Sequence, residues 1–233
     1  RISAIFENID YEQNNIIINI SNIHYIIRYG ENNKKEIECV AELFPKAKNY
    51  LDIYDSYGLV DHKTIFAHGV HLTEEEFLRL QSAGSTISFC ATSNLFLGSG
   101  LFQLTFAKEK NISVGIGSDV GGGTSFSVLQ NLSECYKIQQ LQGKKLSSLQ
   151  GFYLATLGGA KSLSLDDKIG NFEVGKEADF VVLDCNATHF LKFRNEKVNE
   201  LSERLFVFMM LGDDRVVQAT YIQGRAVYVK TTV

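Results

Sequence analysis

Short apolar runs alternate with amphipathic stretches through the middle of the chain. Thr64-Ile65-Phe66-Ala67-His68, Thr86-Ile87-Ser88-Phe89-Cys90 and Ser113-Val114-Gly115-Ile116-Gly117 have the length and composition of buried strands. Helical patterns lie around them. Lys35 to Phe44 carries apolar residues at Ile37, Val40, Ala41, Leu43 and Phe44 and is stopped by Pro45. Thr73-Glu74-Glu75-Glu76 opens a helix with a capping box, Thr73 as cap and Glu76 reaching back, and Gly84 ends it. Leu101 to Lys110, Ser125 to Gln142 and Leu146 to Leu163 read as further helices. This alternation predicts parallel βα units with His68, Cys90 and Asp119 at the strand tips.

Beyond Asp166-Asp167 the pattern changes. Lys168 to Asp184 reads as two strands joined by a Gly-bearing turn, Val198 to Leu211 as a helix, and Val216 to Val229 as a hairpin turning at Gln223-Gly224. Residues 166–233 are therefore expected to form a small β unit with one helix, beside an α/β part over 1–165 whose first thirty residues are atypical. Within residues 8–27, thirteen of twenty positions are Asn or Ile, and Ala, Leu, Val and Gly are absent. Ile16 to Ile20 and Ile23 to Ile27 have strand propensity. The composition of the run points to coding sequence translated out of its original frame, and comparing the other reading frames of the gene tests that.

The chain has 233 residues, 45% of them hydrophobic, and a formal charge of −4. That suffices for one large or two small domains with a real core. Lys34-Lys35 and Lys144-Lys145 are isolated pairs, so the basic footprint of a nucleic-acid binder is missing. No apolar run approaches the ~18 residues of a membrane span, and Arg1-Ile2-Ser3-Ala4 lacks a secretory pattern. Cys39, Cys90, Cys135 and Cys185 are far apart with no C-x-x-C, which fits a reduced cytoplasmic setting better than a disulfide framework. The chain starts without Met or a helix-start signal and reads as a piece of something longer.

Candidate chemistry gathers at the predicted strand ends. In Gly115-Ile116-Gly117-Ser118-Asp119-Val120-Gly121-Gly122-Gly123-Thr124-Ser125 a buried strand runs into an aspartate under a loop too small to cover it. An α/β barrel enzyme places a reactive group there; the competing reading makes Asp119 the cap of a helix starting near Ser125. His68, in Ala67-His68-Gly69-Val70-His71-Leu72, forms with Asp119 a metal half-site for Zn or Fe, or is a hydrogen-bonded core histidine. His71 is expected to be structural. Glu31, in Gly30-Glu31-Asn32, is a proton carrier for a hydrolytic cation site, or a solvated loop acid. Ser93-Asn94 follow Cys90 at the same end. Together and in that order, these residues favour catalysis.

The motifs Ala67-His68-Gly69-Val70-His71-Leu72-Thr73, Cys90-Ala91-Thr92-Ser93-Asn94-Leu95-Phe96-Leu97-Gly98-Ser99-Gly100 and Gly115 to Ser127 resemble the guanine deaminase family of the amidohydrolase superfamily. Leu43 to Asp52 and Leu211-Gly212-Asp213-Asp214-Arg215 are similar too, so the resemblance runs from about residue 30 to 230. It implies a truncated C-terminal portion of a (β/α)8 TIM-type barrel, over 1–165, with a β-sandwich portion over 166–233. It also implies one zinc ion, a small-molecule purine substrate, hydrolysis of guanine to xanthine and ammonia, and a homodimer in the cytoplasm. By the same resemblance His68 and Asp119 are metal-site residues. Asp119 helps deprotonate the attacking water, Glu31 is the acid/base of a His-x-x-Glu motif, and Arg1 matches an arginine that holds the purine.

The departures are specific. The family's His-x-His pair has no counterpart here, and the histidine of His-x-x-Glu falls on Arg28, in Arg28-Tyr29-Gly30-Glu31. A guanidinium stays protonated and has no lone pair to give a metal. His24 lies four residues back, ~13 Å along an extended strand, and could substitute only through a slip of the whole strand. Ala91 replaces the family's proline after Cys90. The expected ligand set is thus incomplete and the activity impaired. A different ring substrate, a non-catalytic remnant and a partner-dependent subunit are the competing readings; the Asp119-Val120-Gly121-Gly122-Gly123 run and Ser93-Asn94 favour guanine over other rings. The H-x-E…P-C-x-x-C signature of cytidine-type deaminases is absent.

Overall fold

All five residues of Thr64–His68 are buried, and the strand they form, β2, lies between two parallel neighbours. The computed structural model describes the backbone of residues 25–29 and residues 42–231. Arg1, His24, Glu31, Cys39 and most of the expected 35–44 helix fall outside the described residues. The sheet runs β1-β2-β3-β4, with β1 Tyr25–Tyr29, β3 Thr86–Phe89 and β4 Val114–Ile116. Every pair is parallel, with Tyr29 opposite His68, Ala67 opposite Ser88 and Phe89 opposite Ile116. The strands therefore finish near one rim.

Helices follow the strands as the alternation predicts: α1 Tyr50–Ser56, α2 Glu74–Ala83, α3 Ala91–Phe96, α4 Leu104–Glu109 and α5 Val128–Leu141, then α6 Ser148–Ala155 and α7 Leu157–Ser162. Phe66, Ile87 and Phe89 from the sheet are sealed against Phe77, Leu80, Phe102 and Ile138. Each such side chain contributes about 1.5–3 kcal/mol by leaving water. The capping box of α2 is present in both directions, Thr73 Oγ1 accepting from the Glu76 N–H and Glu76 Oε2 accepting from the Thr73 N–H. Buried Glu76 does more than cap, because its Oε1 accepts from the Leu51 N–H at 3.3 Å and so ties α2 to α1. A bidentate pair joins the same helices, Arg79 Nε and Nη2 donating to Asp55 at 2.6 and 2.5 Å.

Three expectations need correction. The stretch Leu146 to Leu163 is two helices, broken at Thr156, whose φ of −124° and ψ of −97° leave the helical region. Thr156 Oγ1 donates to the Phe152 carbonyl at 2.7 Å, a local side-chain bond that competes with the helix ladder. The helix expected from Ser125 begins at Val128. Lys168 to Asp184 yields one strand, β5 Phe180–Leu183, because its first part closes on itself instead. There the Glu177 N–H donates to the Lys168 carbonyl at 2.8 Å and the Lys176 N–H to that of Glu173.

The remainder follows the pattern more closely. A short helix the periodicity did not show, α8 His189–Asn195, is capped by Thr188, and α9 Leu201–Leu211 follows. The hairpin of β6 Val217–Ile222 and β7 Arg225–Val229 turns at Gln223 and Gly224, with φ of 51° and 72°. Two successive left-handed residues match the twist of antiparallel strands, and glycine takes one of them without a Cβ clash. β5-β6-β7 make an antiparallel three-stranded sheet. Leu129 of α5 joins Leu191, Val207, Phe208 and Val216 in a second apolar cluster that fastens this unit to the rest.

The hydrogen bonds and charge of Arg79 hold the Asp55 carboxyl below the usual carboxylate range, partly opposed by burial. A depressed folded-state pKa gives stability that is present above the ordinary carboxylate pKa and lost as pH falls through the depressed value. Asp55→Asn should therefore lower the urea midpoint at pH 7, by up to about 1 kcal/mol for so exposed a pair. The gap to the parent chain should close in urea titrations run at progressively lower pH, beneath ~4.

Candidate active site

His68 ends β2 and Asp119 is the third residue beyond β4. Their side chains meet at the rim, His68 Nε2 lying 3.7 Å from Asp119 Oδ2, with 2% and 11% of the respective side chains exposed. Both hold left-handed backbones, φ 68° and 44°. Around His68 the Gly69 N–H donates to the Ala67 carbonyl at 2.9 Å, closing a three-residue turn of the rare, strained hand. The Asp119 carbonyl accepts from the Gly123 N–H, folding the glycine loop back on itself. Each such conformation costs on the order of 1–3 kcal/mol for a residue other than glycine, and strain of this kind clusters at functional sites.

Asp119 does not cap the following helix. Ser127 occupies the N-cap position of α5, eight residues further on, so the capping alternative is set aside. For His68 the two readings merge: it is a buried, hydrogen-bonded histidine, with Nδ1 2.8 Å from Asn94 Oδ1, and it faces the carboxylate. His71 is exposed beyond the strand. Ser93 and Asn94 are wholly buried at the start of α3, and Ser93 Oγ and Asn94 Nδ2 have no hydrogen-bond partner among the described residues. An unsatisfied buried polar atom costs about 1–3 kcal/mol, which a small bound molecule or water at the rim would relieve.

The backbone at Gly122 comes close to the same groups. A Cβ there would stand 2.9 Å from both Asp119 Oδ2 and Ser93 Oγ, so the loop can close over the pair only because position 122 has no side chain. Asn131 ties the C-terminal end of the loop to Thr92 of α3, and the sequence reading missed it. Its Oδ1 accepts from Thr92 Oγ1 at 2.9 Å, and its Nδ2 donates to the Ser125 and Ser127 carbonyls at 3.2 and 3.0 Å. Thr92 Oγ1 also reaches the Ser118 carbonyl. The available signal was helical phase: Asn131 lies four residues before Cys135 and seven before Ile138, on the core face of α5.

A cleft of about 650 Å³ opens on the far side of the loop, lined in part by Thr92, Thr124, Ser125 and Lys137. The Asp213–Arg215 pair forms its opposite wall. Hydrogen bonds from Arg215 hold the Asp213 carboxyl below its ordinary range. Deep burial pushes the Cys135 thiol well up, so it stays protonated and unreactive. Cys90, Cys135 and Cys185 form no disulfide among the described residues.

No group of three or more His, Cys, Asp or Glu side chains able to hold a metal exists among the described residues. Zinc takes three or four protein ligands. His68 and Asp119 bring together two groups of the kind that bind zinc, and the described residues do not complete a zinc site. In the register of β1, Tyr25 pairs with Thr64 and Arg28 with Ala67. Arg28 itself occupies the rung next to that of His68.

The amidohydrolase family model matches residues 19–227. The chain belongs to the amidohydrolase family. The match opens inside the Ile/Asn-rich run, ahead of the residue-30 start that the motifs alone marked. The guanine deaminase of Escherichia coli (strain K12) is 55% identical over 196 residues, 84% of this chain and 45% of that protein. A solved E. coli guanine deaminase superposes with a TM-score of 0.86 at 51% identity, over 91% of this chain and 49% of the other. A guanine deaminase from C. acetobutylicum with guanine bound in its active site gives 0.75 at 30% identity, over 87% and 48%. The chain thus spans about half the length of the curated relatives it matches, and its four parallel strands fit part of the amidohydrolase fold.

Because the Gly122 position lies against Asp119 Oδ2 and Ser93 Oγ, Gly122→Ala should lower stability by about 1–3 kcal/mol through overpacking. Urea unfolding measures the loss, and an unchanged midpoint would mean the loop can lift away from the pair.

Proposed function

We propose that the chain is the C-terminal portion of a guanine-deaminase-type hydrolase, whose reaction converts guanine and water to xanthine and ammonia. The observation that carries the reading is the buried imidazole–carboxylate pair, His68 and Asp119, converging to 3.7 Å where the parallel strands finish. The relatives that match the chain at 36–55% identity are guanine deaminases, which supplies the substrate class. Asp119 is the group that accepts a proton from the attacking water. Glu31 comes two residues after Tyr29, the register partner of His68, and is assigned the proton that goes to the purine ring nitrogen as water adds to the amino-bearing carbon. Ammonia then leaves and the carbonyl of xanthine forms. Arg1 is assigned to the purine.

The finer architecture belongs to the same proposal: residues 1–165 as the later part of a (β/α)8 barrel, and 166–233 as a β-sandwich portion. So do zinc as the metal, the cytoplasm as the compartment and a homodimer as the assembly. No helix among the described residues is long and apolar enough to cross a membrane.

His68 and Asp119 contribute two donors, and Arg28 has none to add. We therefore expect substoichiometric zinc in the purified chain and little or no xanthine when loss of guanine absorbance is followed. Arg28→His alone should not restore turnover. Full zinc occupancy with steady guanine loss in the parent chain would overturn the impairment; full occupancy with no response to guanine would overturn the substrate.

A further inference from the structure

We infer that Asn131 is a positioning residue that latches the loop between Ser118 and Ser127 and so keeps Asp119 at the end of β2. That role rests on the reading of His68 and Asp119 as site residues. Asn131 lies in the first turn of α5 and is wholly buried, where an aliphatic side chain would simply join the core beside Leu132 and Ile138. A buried amide is costly unless its donors and acceptor are paired, and here every partner belongs to the loop or to α3. Nδ2 donates to the Ser125 and Ser127 carbonyls at 3.2 and 3.0 Å, and Oδ1 accepts from Thr92 Oγ1 at 2.9 Å. Carbonyls only accept, so the network itself fixes the amide: turned end for end, its oxygen would face two other acceptors.

Side-chain burial does little to anchor this stretch. Gly121, Gly122 and Gly123 carry no side chains, and Val120, Thr124 and Phe126 are exposed. The junction with α5 also lacks the usual hydroxyl cap, because Ser127 at the N-cap makes no side-chain bond to the helix. Its carbonyl instead takes both the backbone and the side-chain N–H of Asn131. Thr92 carries the restraint to the start of the loop. Its Oγ1, 2.9 Å from Asn131 Oδ1, also lies 3.4 Å from the carbonyl of Ser118, the residue before Asp119. The return is thus gripped at Ser125 and Ser127 by α5 and at Ser118 by α3, with Asp119 between the grips. Releasing either grip frees the segment to swing about its glycines.

The test is native-state hydrogen exchange and imidazole NMR on the full chain and two variants, Asn131→Ala and Thr92→Val. The Gly123 N–H, which donates to the Asp119 carbonyl, reports loop opening, and the Ile87 N–H, which donates to the Ser113 carbonyl, reports the sheet. In either variant Gly123 exchange should accelerate roughly tenfold or more beyond that of Ile87, the effect of losing more than one ordinary hydrogen bond. The ring signals of His68, assigned by their loss in His68→Gln, should move toward those seen in Asp119→Asn. A purely structural role would speed both amides by one factor and leave the ring signals alone, and that outcome overturns the inference. Faster Gly123 exchange with unmoved ring signals overturns it too, since the loop would then open without carrying Asp119. Should Asn131→Ala not fold, Thr92→Val keeps the shape of the side chain and loses the hydroxyl. Should neither fold, the parent chain decides: slowly exchanging Asn131 side-chain amide protons support the latch, and rapidly exchanging ones overturn it. Zinc content and guanine turnover enter neither readout, so their failure counts against the proposed function and not against the latch.

Discussion

Parallel pairing sets the height at which the chemistry can occur. With β2, β3 and β4 in register, His68 ends one strand and Asp119 follows another two places away in the sheet. Two strand spacings are about 10 Å, so side chains standing straight up from the tips would not meet. The 3.7 Å approach exists because the chain after β4 turns back across the end of β3 instead of running on. The left-handed Asp119, the glycines behind it and the Asn131 bonds to Thr92 and to the loop's last carbonyls all serve that return. A one-residue slip of β2 would swing His68 to the opposite face, one of β4 would displace Asp119, and either would undo the meeting.

What the sequence made legible was chiefly local. The Thr73/Glu76 capping box, the helix end at Gly84 and the turn at Gln223-Gly224 are decided by residues within four positions of one another, and the structure has each of them. His68 and Asp119 could be read because each follows a short buried run directly. Where distant partners decide, pattern was silent. Nothing in the periodicity of 146–163 shows that the Thr156 hydroxyl will take the Phe152 carbonyl, and nothing between 168 and 179 forbids strands except the way the segment closes on itself. Asn131 resembles any mid-helix asparagine until the loop it binds is in view. Glu76 shows the same division: its cap was visible, its second bond to Leu51 was not.

No third donor joins His68 and Asp119 among the described residues, so the proposed zinc site would need ligands from elsewhere. Arg28 lies in β1 on the rung beside that of His68. A guanidinium has five donors and no lone pair, so Arg28 could not serve the proposed site as a metal ligand. The described residues thus orient His68 and Asp119 toward one another without supplying a third donor.

The left-handed turns at His68 and Asp119 carry one more implication. Glycine or asparagine would rest more easily than histidine at such a backbone angle, so the backbone is strained at two positions that the proposed function makes reactive. Relaxation and reactivity pull against each other at the same two α-carbons. A sequence selected for robustness alone would have little reason to keep either side chain.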